Sequence, residues 1–394
     1  MDIFEKCWNY KPAKIARKKG YYPYFIPIDS GQGSEVTSKG KNLIMIGSNN
    51  YMGLVSHPKV IEASRAALEK YGAGCTGSRF LNGTLDIHEK LEQELADFTN
   101  KEAALVMSTG FQTNLATISC LVAKGDVVIT DRADHASIVD GCRLGFGKIV
   151  KYRHNDMNDL ERVLKNIGDG PGKFIVTDGV FSMEGDIVDL PRVVELKNKY
   201  NARLMVDDAH SIGVLGPQGN GTAAHFGLDD EVDIIMGTFS KSFVSIGGFI
   251  AADFDVIDFV KHHGRALIFS ASMPPASVAA VRAALKIIKA EPERRERLRK
   301  NANKMREGFQ AMGYNTGTSN TPIIPVLIGE DIKTFYFWKT LFQNGIFTNP
   351  VVTPAVPPGQ ALIRTSYMAT HTDQELDQVL EIFQRVGKEL EIIP

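Results

Sequence analysis

A single lysine stands among small and hydroxylated residues in the stretch VDIIMGTFSKSFVSIGGF, residues 232–249. The apolar run at 232–236 predicts a buried strand, and Lys241 follows it after Thr238 and Ser240. A lysine at the exit of a buried strand is suited to form a Schiff base with a carbonyl compound. The hydroxyls and loop amides beside it are suited to hold a phosphate group. A surface lysine in an ordinary loop is the alternative, and this stretch alone does not decide between the two.

A second apolar strand, ARLMVDDAH at 202–210, ends in Asp207, Asp208 and His210. Ligands of open α/β sheets bind outside the carboxyl ends of the strands, so these side chains are placed for function. Pyridoxal phosphate (PLP) requires a lysine for its aldehyde and a carboxylate for its pyridine nitrogen. One strand supplies Asp207 and the next supplies Lys241. We therefore predict that PLP is the cofactor.

The chain resembles the α-oxoamine synthase family of fold-type-I PLP enzymes over nearly its whole length. The segments DRADHAS (131–137), VDDAH (206–210), TFSKS (238–242) and ALIRTS (361–366) occur in the family's order. The resemblance implies three catalytic residues. Lys241 holds PLP, and the amine that is then freed, or a neighbouring group, acts as the base. Asp207 pairs with the pyridine nitrogen, and His135 stacks on the ring. We expect burial to lower the pKa of Lys241, as a base working near neutral pH requires.

The segment STGFQTN at 108–114 follows a predicted strand at 103–107 and begins a helix. Free amides at a helix N-terminus attract a phosphate dianion. From the resemblance, Ser182 reaches the phenolic oxygen of the cofactor. A hydroxyl of segment 269–275 reaches the phosphate of the partner subunit, and the sequence does not choose between Ser270 and Ser272. The full set of expected cofactor-binding residues is Gly110, Phe111, His135, Ser182, Asp207, His210, Thr238, Ser240, Lys241 and Ser272.

Three residues are expected to bind substrate. Asn50, in the segment GSNNYMGL at 47–54, resembles the family asparagine that faces the amino acid. Arg364 matches the family arginine associated with the substrate carboxylate, and a guanidinium fork suits such a group. Ser78 lies in the glycine-rich segment GSRFLNG at 77–83, which resembles the family segment near the active site at the dimer interface.

The family joins an amino acid to an acyl thioester with loss of carbon dioxide. Ser240, directly before the lysine, and the segments 77–83 and 269–273 resemble the members that use L-serine and a long-chain acyl-CoA. The expected products are 3-ketodihydrosphingosine, CoA and carbon dioxide, in the first step of sphingolipid synthesis. A glycine or alanine user with an acetyl or pimeloyl thioester is the alternative, and acyl length and carrier (CoA or acyl-carrier protein) stay open. A non-catalytic regulatory subunit is a further alternative, against which the presence of Lys241, Asp207 and His135 argues.

Strands alternate with helices from about 103 to 253, a pattern that predicts a buried parallel sheet. The resemblance implies a fold-type-I, aminotransferase-like α/β fold with a large, mostly parallel seven-stranded sheet, in which strand 248–252 runs antiparallel. We expect an N-terminal segment at 1–55, a large PLP-binding domain at 56–290 and a small C-terminal α/β domain at 291–394. Within the N-terminal segment, a short amphipathic helix up to about residue 20 and strands at 22–28 and 42–46 are predicted.

Composition places further bounds on function. The 394 residues carry a formal net charge of −1, so no overall field attracts nucleic acid. The four cysteines show no metal-binding spacing and are expected to be free thiols, without a bound metal. We expect neither a signal peptide nor a transmembrane segment, and hence a cytoplasmic protein.

The basic, aromatic N-terminal segment is expected to dock on the body or on a partner subunit, with weak contact to the inner membrane as the alternative. The resemblance also implies a homodimer with active sites at the subunit interface.

Overall fold

The structure, a computed structural model, describes residues 2–394 and contains three β-sheets. The strands in chain order are β1 (Glu35–Ser38), β2 (Lys41–Met45), β3 (Ala103–Met107), β4 (Val127–Asp131), β5 (Lys148–Tyr152), β6 (Lys173–Asp178), β7 (Arg203–Asp207), β8 (Ile234–Thr238), β9 (Gly248–Ala252), β10 (Ile323–Gly329), β11 (Ile346–Phe347), β12 (Asn349–Val351) and β13 (Ala361–Ser366).

The helices surround these sheets. In chain order they are α1 (Glu5–Trp8), α2 (Pro12–Lys18), α3 (Pro58–Tyr71), α4 (Asp86–Thr99), α5 (Gly110–Leu121), α6 (Ala136–Leu144), α7 (Met157–Ile167), α8 (Leu190–Lys199), α9 (Thr222–Phe226), α10 (Phe254–His263), α11 (Arg265–Ile268), α12 (Pro275–Ala290), α13 (Glu293–Ala311), α14 (Asp331–Gln343) and α15 (Asp373–Glu389), with a 3₁₀ turn at Asp229–Glu231. No helix within residues 2–394 combines the length and hydrophobicity needed to span a lipid bilayer.

The large sheet has seven strands in the order β3-β9-β8-β7-β6-β4-β5. Strands β8, β7, β6, β4 and β5 are parallel, whereas β9 is antiparallel to both of its neighbours. Every residue of β4, β8 and β9 is buried, as expected for strands covered by helices on both faces. The predicted fold, including the antiparallel strand 248–252, is confirmed. Because parallel strands end at the same edge of the sheet, the segments after β4, β6, β7 and β8 converge there.

Aromatic packing fixes the chain on either side of Lys241. The rings of Phe239 and Phe249 stack with a centroid distance of 5.6 Å and an interplanar angle of 13°. A Cβ atom on Gly237 would lie 2.3 Å from the Phe249 ring, so only glycine admits this stacking between β8 and β9. The backbone N–H of Phe239 donates to the carbonyl of Gly247 at 2.9 Å. The Lys241 loop is therefore held at both ends by the core.

Two smaller sheets lie outside the large one. Strands β10, β13 and β12 form an antiparallel sheet in the C-terminal part. Strands β1 and β2 pair with each other, and β2 also pairs in parallel with β11, so the first 55 residues share a sheet with the C-terminal part. The predicted strand at 22–28 is wrong, since this segment has no regular structure, and the single predicted N-terminal helix is the two short helices α1 and α2. The division at residues 55 and 290 stays a prediction.

Candidate active site

Two adjoining cavities meet at Lys241. The first, named here the aspartate cavity, has a volume of 330 Å³ and is lined by Asp207, Asp178 and both His135 and His210. The second, the asparagine cavity, has a volume of 430 Å³ and is lined by residues that include Asn49 and Asn50. Ser240 and Lys241 line both cavities. The lysine is thus accessible from two compartments of different composition.

Lys241 lies three residues beyond the end of β8 and is half-buried. Burial lowers its pKa to about 8, the negative charges of Asp207 and Asp178 oppose this decrease, and the positive charge of Arg364 adds to it. Near pH 8, Lys241 is therefore the neutral amine in about half of the molecules. A neutral amine is the form that attacks a carbonyl or accepts a proton.

Asp207 ends β7 and is buried, and donors are bonded to both of its carboxylate oxygens. The Nδ2 atom of Asn114, on α5, donates to Oδ2 at 2.7 Å, and the backbone N–H of Ala209 donates to Oδ1 at 3.0 Å. These two donors fix the orientation of the carboxylate. The arrangement presents a fixed negative charge to the aspartate cavity.

His135 caps the N-terminus of α6 at the edge of the same cavity. Its Nδ1 atom accepts a hydrogen bond from the backbone N–H of Ser137 at 3.3 Å and lies 2.7 Å from the Ser137 hydroxyl. Burial lowers its pKa; the charge of Asp207 opposes this effect and that of Lys241 reinforces it. A neutral ring whose Nδ1 is an acceptor carries its proton on Nε2.

Asp178 ends β6, the strand beside β7, and is paired in register with Asp207. Its Oδ2 atom accepts the backbone N–H of His135 at 2.9 Å. Burial raises the pKa of Asp178 well above its usual range, and the negative charges of Asp207 and Asp134 raise it further. Asp178 therefore positions His135 from the neighbouring strand.

A chain of hydrogen bonds connects His210 with Arg364. The Tyr51 hydroxyl lies 2.7 Å from Nδ1 of His210 and 3.2 Å from Oδ1 of Asn49. Arg364, on β13, donates from Nη2 to the same Asn49 oxygen at 3.0 Å and from Nε to the carbonyl of Ser182 at 2.6 Å. Arg364 is buried, with 6% of its surface exposed, so the arginine is held in place by these contacts.

The N-terminus of α5 closes the other end of the aspartate cavity. Thr109 caps this helix and accepts the N–H of Gln112 at 3.1 Å. Thr238 lies against the helix, and its hydroxyl is 3.0 Å from that of Ser240. A Cβ atom on Gly110 would lie 2.5 Å from Oγ1 of Thr238. The helix amides and the two hydroxyls thus form a compact anion-binding end.

Comparison with known proteins agrees with this geometry. The sequence model of the aminotransferase class I and II family matches residues 41–383. A serine palmitoyltransferase of Sphingobacterium spiritivorum is 52% identical over 390 residues, covering 99% of this chain and 98% of the relative. An 8-amino-7-oxononanoate synthase of Thermoanaerobacter pseudethanolicus is 44% identical over 378 residues, covering 96% of each. The chain belongs to the aminotransferase class I and II family, as an α-oxoamine synthase. A solved serine palmitoyltransferase from S. paucimobilis superimposes on this synthase with a TM-score of 0.96 at 37% identity, covering 100% of both chains.

The residues of the aspartate cavity fit PLP. The compact anion-binding end, where a side chain at position 110 would collide with Thr238, suits the phosphate. The ionised Asp207 suits the pyridine nitrogen, and Lys241 suits the aldehyde. No cluster of three or more metal-ligating side chains occurs in the part of the synthase that the structure describes.

Most of the residues predicted from the sequence lie together around these cavities. The aspartate cavity is lined by Gly110, Phe111, His135, Ser182, Asp207, His210, Thr238, Ser240 and Lys241. Asn50 lines the asparagine cavity, but its side chain is also bonded to the backbone, accepting the N–H of Leu54 at 3.0 Å and donating to Gln32 at 3.3 Å. Their roles in binding and catalysis stay predictions.

Three predicted residues, Arg364, Ser78 and Ser272, line neither cavity of their own chain. The hydroxyls of Ser78 and Ser272 are buried and have no hydrogen-bond partner within residues 2–394. Ser78 is bridged to Ala271, and the backbone N–H of Ser272 donates to Gly77 at 2.9 Å. The two glycine- and serine-rich segments therefore pack on each other beside the site, and the roles of Ser78, Ser270 and Ser272 stay predictions.

Five residues with clear contacts at the site were not identified from the sequence. They are Asn49, Tyr51, Asn114, Ser137 and Asp178. Asn114 and Ser137 each lie a few residues from a predicted site residue, on α5 and α6, so helical spacing was an available signal. Asp178 ends a strand of the predicted sheet, as Asp207 does. Nothing in the local sequence indicated that Tyr51 and His210, 159 residues apart, are in contact.

Proposed function

We propose that this synthase condenses L-serine with palmitoyl-CoA to give 3-ketodihydrosphingosine, CoA and carbon dioxide, with PLP as cofactor. One observation carries the proposal. Lys241, whose pKa is lowered to about 8, and the hydrogen-bonded carboxylate of Asp207 line the same cavity. Relatives named serine palmitoyltransferase, at about 50% identity over almost the whole chain, support the choice of substrates. The structure from S. paucimobilis that resembles this chain contains bound PLP and myriocin.

When bound, PLP supplies an electron sink for the negative charge that develops on the α-carbon of the amino acid. Lys241 accepts and returns a proton at Nζ, for which its lowered pKa suits it. Asp207 would pair with the pyridine nitrogen of bound PLP and favour its protonated form. Arg364 binds the carboxylate of the amino acid, and His135 lies at the edge of the cavity with its Nε2–H available as a donor.

A glycine or alanine user remains the second candidate. It is supported by 44% identity to an 8-amino-7-oxononanoate synthase over 96% of each chain. All members of the family need the same lysine, aspartate and histidine. The three shared residues therefore do not distinguish the substrates, and the choice between them is decided by direct comparison of amino acids.

We further propose a homodimer in which the active sites lie at the subunit interface. Phe80, Leu81 and Phe269 are 49%, 79% and 76% exposed, and they lie on the two segments that carry Ser78 and Ser272. Such an apolar surface beside the site suits a second copy of the chain. The expected location is the cytoplasm. Contact of the N-terminal segment with the inner membrane stays a prediction from the sequence.

The test is a spectral titration of the purified protein with PLP bound, using glycine, L-alanine and L-serine in turn, followed by palmitoyl-CoA. We expect only L-serine to change the visible band strongly and palmitoyl-CoA then to release a free thiol. A preference for glycine or alanine would contradict the choice of L-serine and assign the protein to another branch of the family. Thiol release by a Lys241→Ala variant at the wild-type rate would contradict the catalytic role of the lysine.

The dimer is tested separately by sedimentation of the active protein. A dimer is expected, and full activity at a concentration at which only monomer sediments would contradict an interfacial site. Mixing a Lys241→Ala variant with a Ser272→Ala variant adds a second readout. Activity recovered in the mixture would require that the two residues act from different subunits.

A further inference from the structure

Tyr51 is buried, with 1% of its surface exposed, and it contacts one end of the aspartate cavity without lining it. Its hydroxyl has a single proton and two neighbours that can accept it: Nδ1 of His210 and Oδ1 of Asn49. Burial raises the pKa of Tyr51 to about 12, while the charge of Arg364 and a hydrogen bond to it oppose this increase. The hydroxyl is therefore protonated at all physiological pH values.

The distances indicate which neighbour receives the proton. The separation from His210 is 2.7 Å, which is short for a hydrogen bond to nitrogen, whereas 3.2 Å to the Asn49 oxygen is long for a hydroxyl donor. The Asn49 oxygen also receives the charged Nη2 of Arg364 at 3.0 Å, a stronger donor than a tyrosine. Arg364 thus occupies one of the two acceptor positions of the Asn49 oxygen, and His210, at the shorter distance, is the favoured acceptor of the Tyr51 proton.

His210 is neutral in this environment. Burial lowers its pKa well below the usual range, and the positive charges of Lys241 and Arg364 lower it further. A neutral imidazole has one N–H and one bare nitrogen. When Nδ1 accepts the Tyr51 hydroxyl, the proton is on Nε2, and Nε2 has no other hydrogen-bond partner among the described residues.

We propose that Tyr51 is a positioning residue that holds His210 as the Nε2–H tautomer, so that the ring presents a hydrogen-bond donor to the aspartate cavity. Arg364 donates to Asn49, the competing acceptor, and so favours donation of the Tyr51 proton to His210. One part of the inference rests on the proposed function: the acceptor of the Nε2–H hydrogen bond is then an oxygen of PLP or of the substrate. The tautomer itself is a property of this chain.

The experiment compares Tyr51→Phe with Tyr314→Phe in the full-length protein, with and without PLP. Tyr314 is the matched control because it is also buried, with 4% of its surface exposed, and its hydroxyl donates to the carbonyl of Phe383 at 2.7 Å, in the C-terminal part. Both variants lose one buried hydroxyl: Tyr51→Phe loses its contacts with His210 and Asn49, and Tyr314→Phe loses its hydrogen bond to the carbonyl of Phe383. Only Tyr51→Phe removes a donor from His210.

The first readout is ¹⁵N NMR of the histidine rings, in which the protonated and bare nitrogens have widely separated shifts and His210 is assigned through His210→Gln. Wild type and Tyr314→Phe are expected to show Nε2 protonated and Nδ1 bare, and Tyr51→Phe to show a mixture of tautomers. The second readout is the dissociation constant of PLP, expected to rise about three- to tenfold in Tyr51→Phe alone, as for one lost hydrogen bond.

A His210 signal unchanged in Tyr51→Phe would overturn the proposal, whatever the enzymatic activity. A second variant, Asn49→Ala, keeps the proposal testable if Tyr51→Phe does not fold. Asn49→Ala removes the competing acceptor, so His210 is expected to remain entirely in the Nε2–H tautomer. A shift of His210 to the Nδ1–H tautomer in Asn49→Ala would overturn the proposal as well. Failure of the proposed function would instead appear in the substrate titration and would leave the NMR result intact.

Discussion

The Nδ2 atom of Asn114 donates a hydrogen bond of 2.7 Å to the Oδ2 atom of Asp207. The same amide nitrogen lies 2.8 Å from the hydroxyl of Ser137, which in turn contacts Nδ1 of His135. One asparagine on α5 therefore braces two of the three proposed catalytic residues. Its position on the helix that also provides the anion-binding end makes α5 the central support of the aspartate cavity.

Replacing Asn114 with leucine is expected to weaken PLP binding about tenfold or more, because a hydrogen bond to a charged group is worth about 1.5–3 kcal/mol. Asn301→Leu is the matched control. Asn301 is also fully buried, its Nδ2 atom donates to the carbonyls of Met368 and His371, and it lies outside the site. Equilibrium dialysis with PLP measures both variants. Equal weakening in the two would show that Asn114 acts only through overall stability.

The amine of Lys241 is expected to titrate near pH 8 in the protein without PLP, rather than near the usual value of 10.5. Because the folded state disfavours the charged form, the protonated lysine costs stability below pH 8, and this cost disappears as the pH rises from about 8 to 10.5. Methylation with ¹³C-formaldehyde and NMR titration follow the group directly. The signal is assigned by its loss in Lys241→Ala.

Asp207→Asn sharpens the same measurement. The negative charge of Asp207 raises the Lys241 pKa, so removing this charge is expected to move the titration to a still lower pH. A Lys241 signal that titrates at the usual pH, or that moves upward in Asp207→Asn, would contradict the electrostatic account of the site.

His154 is expected to stabilise the protein in its protonated form. Its Nδ1 atom lies 3.1 Å from Asp131 and its Nε2 atom 3.3 Å from Asp186. Burial lowers the His154 pKa, but the hydrogen bonds and charges of the two aspartates outweigh this effect and raise it to about 10. The stabilisation is complete below the unfolded pKa of about 6.5 and is lost as the pH rises through about 10.

We therefore expect His154→Gln to lower the free energy of unfolding by about 2 kcal/mol at pH 6. The difference in unfolding free energy between wild type and variant is expected to decrease toward pH 10. Urea denaturation at several pH values measures this. His262→Gln is the control, because His262 pairs with Asp258 at 3.4 Å on the surface and is expected to change stability by less than about 0.5 kcal/mol. If the loss of unfolding free energy in His154→Gln were constant from pH 6 to 10, the charge of His154 would not be involved.

Gly110→Ala is expected to destabilise the fold by about 1–3 kcal/mol and to weaken PLP binding, since the new Cβ atom would lie 2.5 Å from Oγ1 of Thr238. Gly170→Ala is the control, because a Cβ atom there has nothing within 4 Å. Thermal unfolding and PLP titration compare the two. Wild-type behaviour of Gly110→Ala would mean that Thr238 moves aside without loss.

The sequence predicted the parts of the site that regular structure brings together. Asp207 ends one parallel strand and Lys241 follows the next, so their proximity was expected from the two predicted strands together with the family resemblance. The contact between Asn49 and Arg364 joins residues 315 positions apart and depends on packing between β13 and the segment after β2, which no local pattern encodes. The pairing of β2 with β11 was missed for the same reason, because a two-residue strand has no detectable periodicity.

Strand β3, directly before the anion-binding end of the site, pairs only with β9, which follows Lys241 in the chain. On the ribosome, β3 therefore has no partner until β9 has left the exit tunnel, a delay of roughly ten seconds at ordinary translation speed. During this interval α5 and its N-terminal amides have no fixed position relative to β8. A nascent chain is consequently expected to retain PLP only after β9 has paired with β3 and β8.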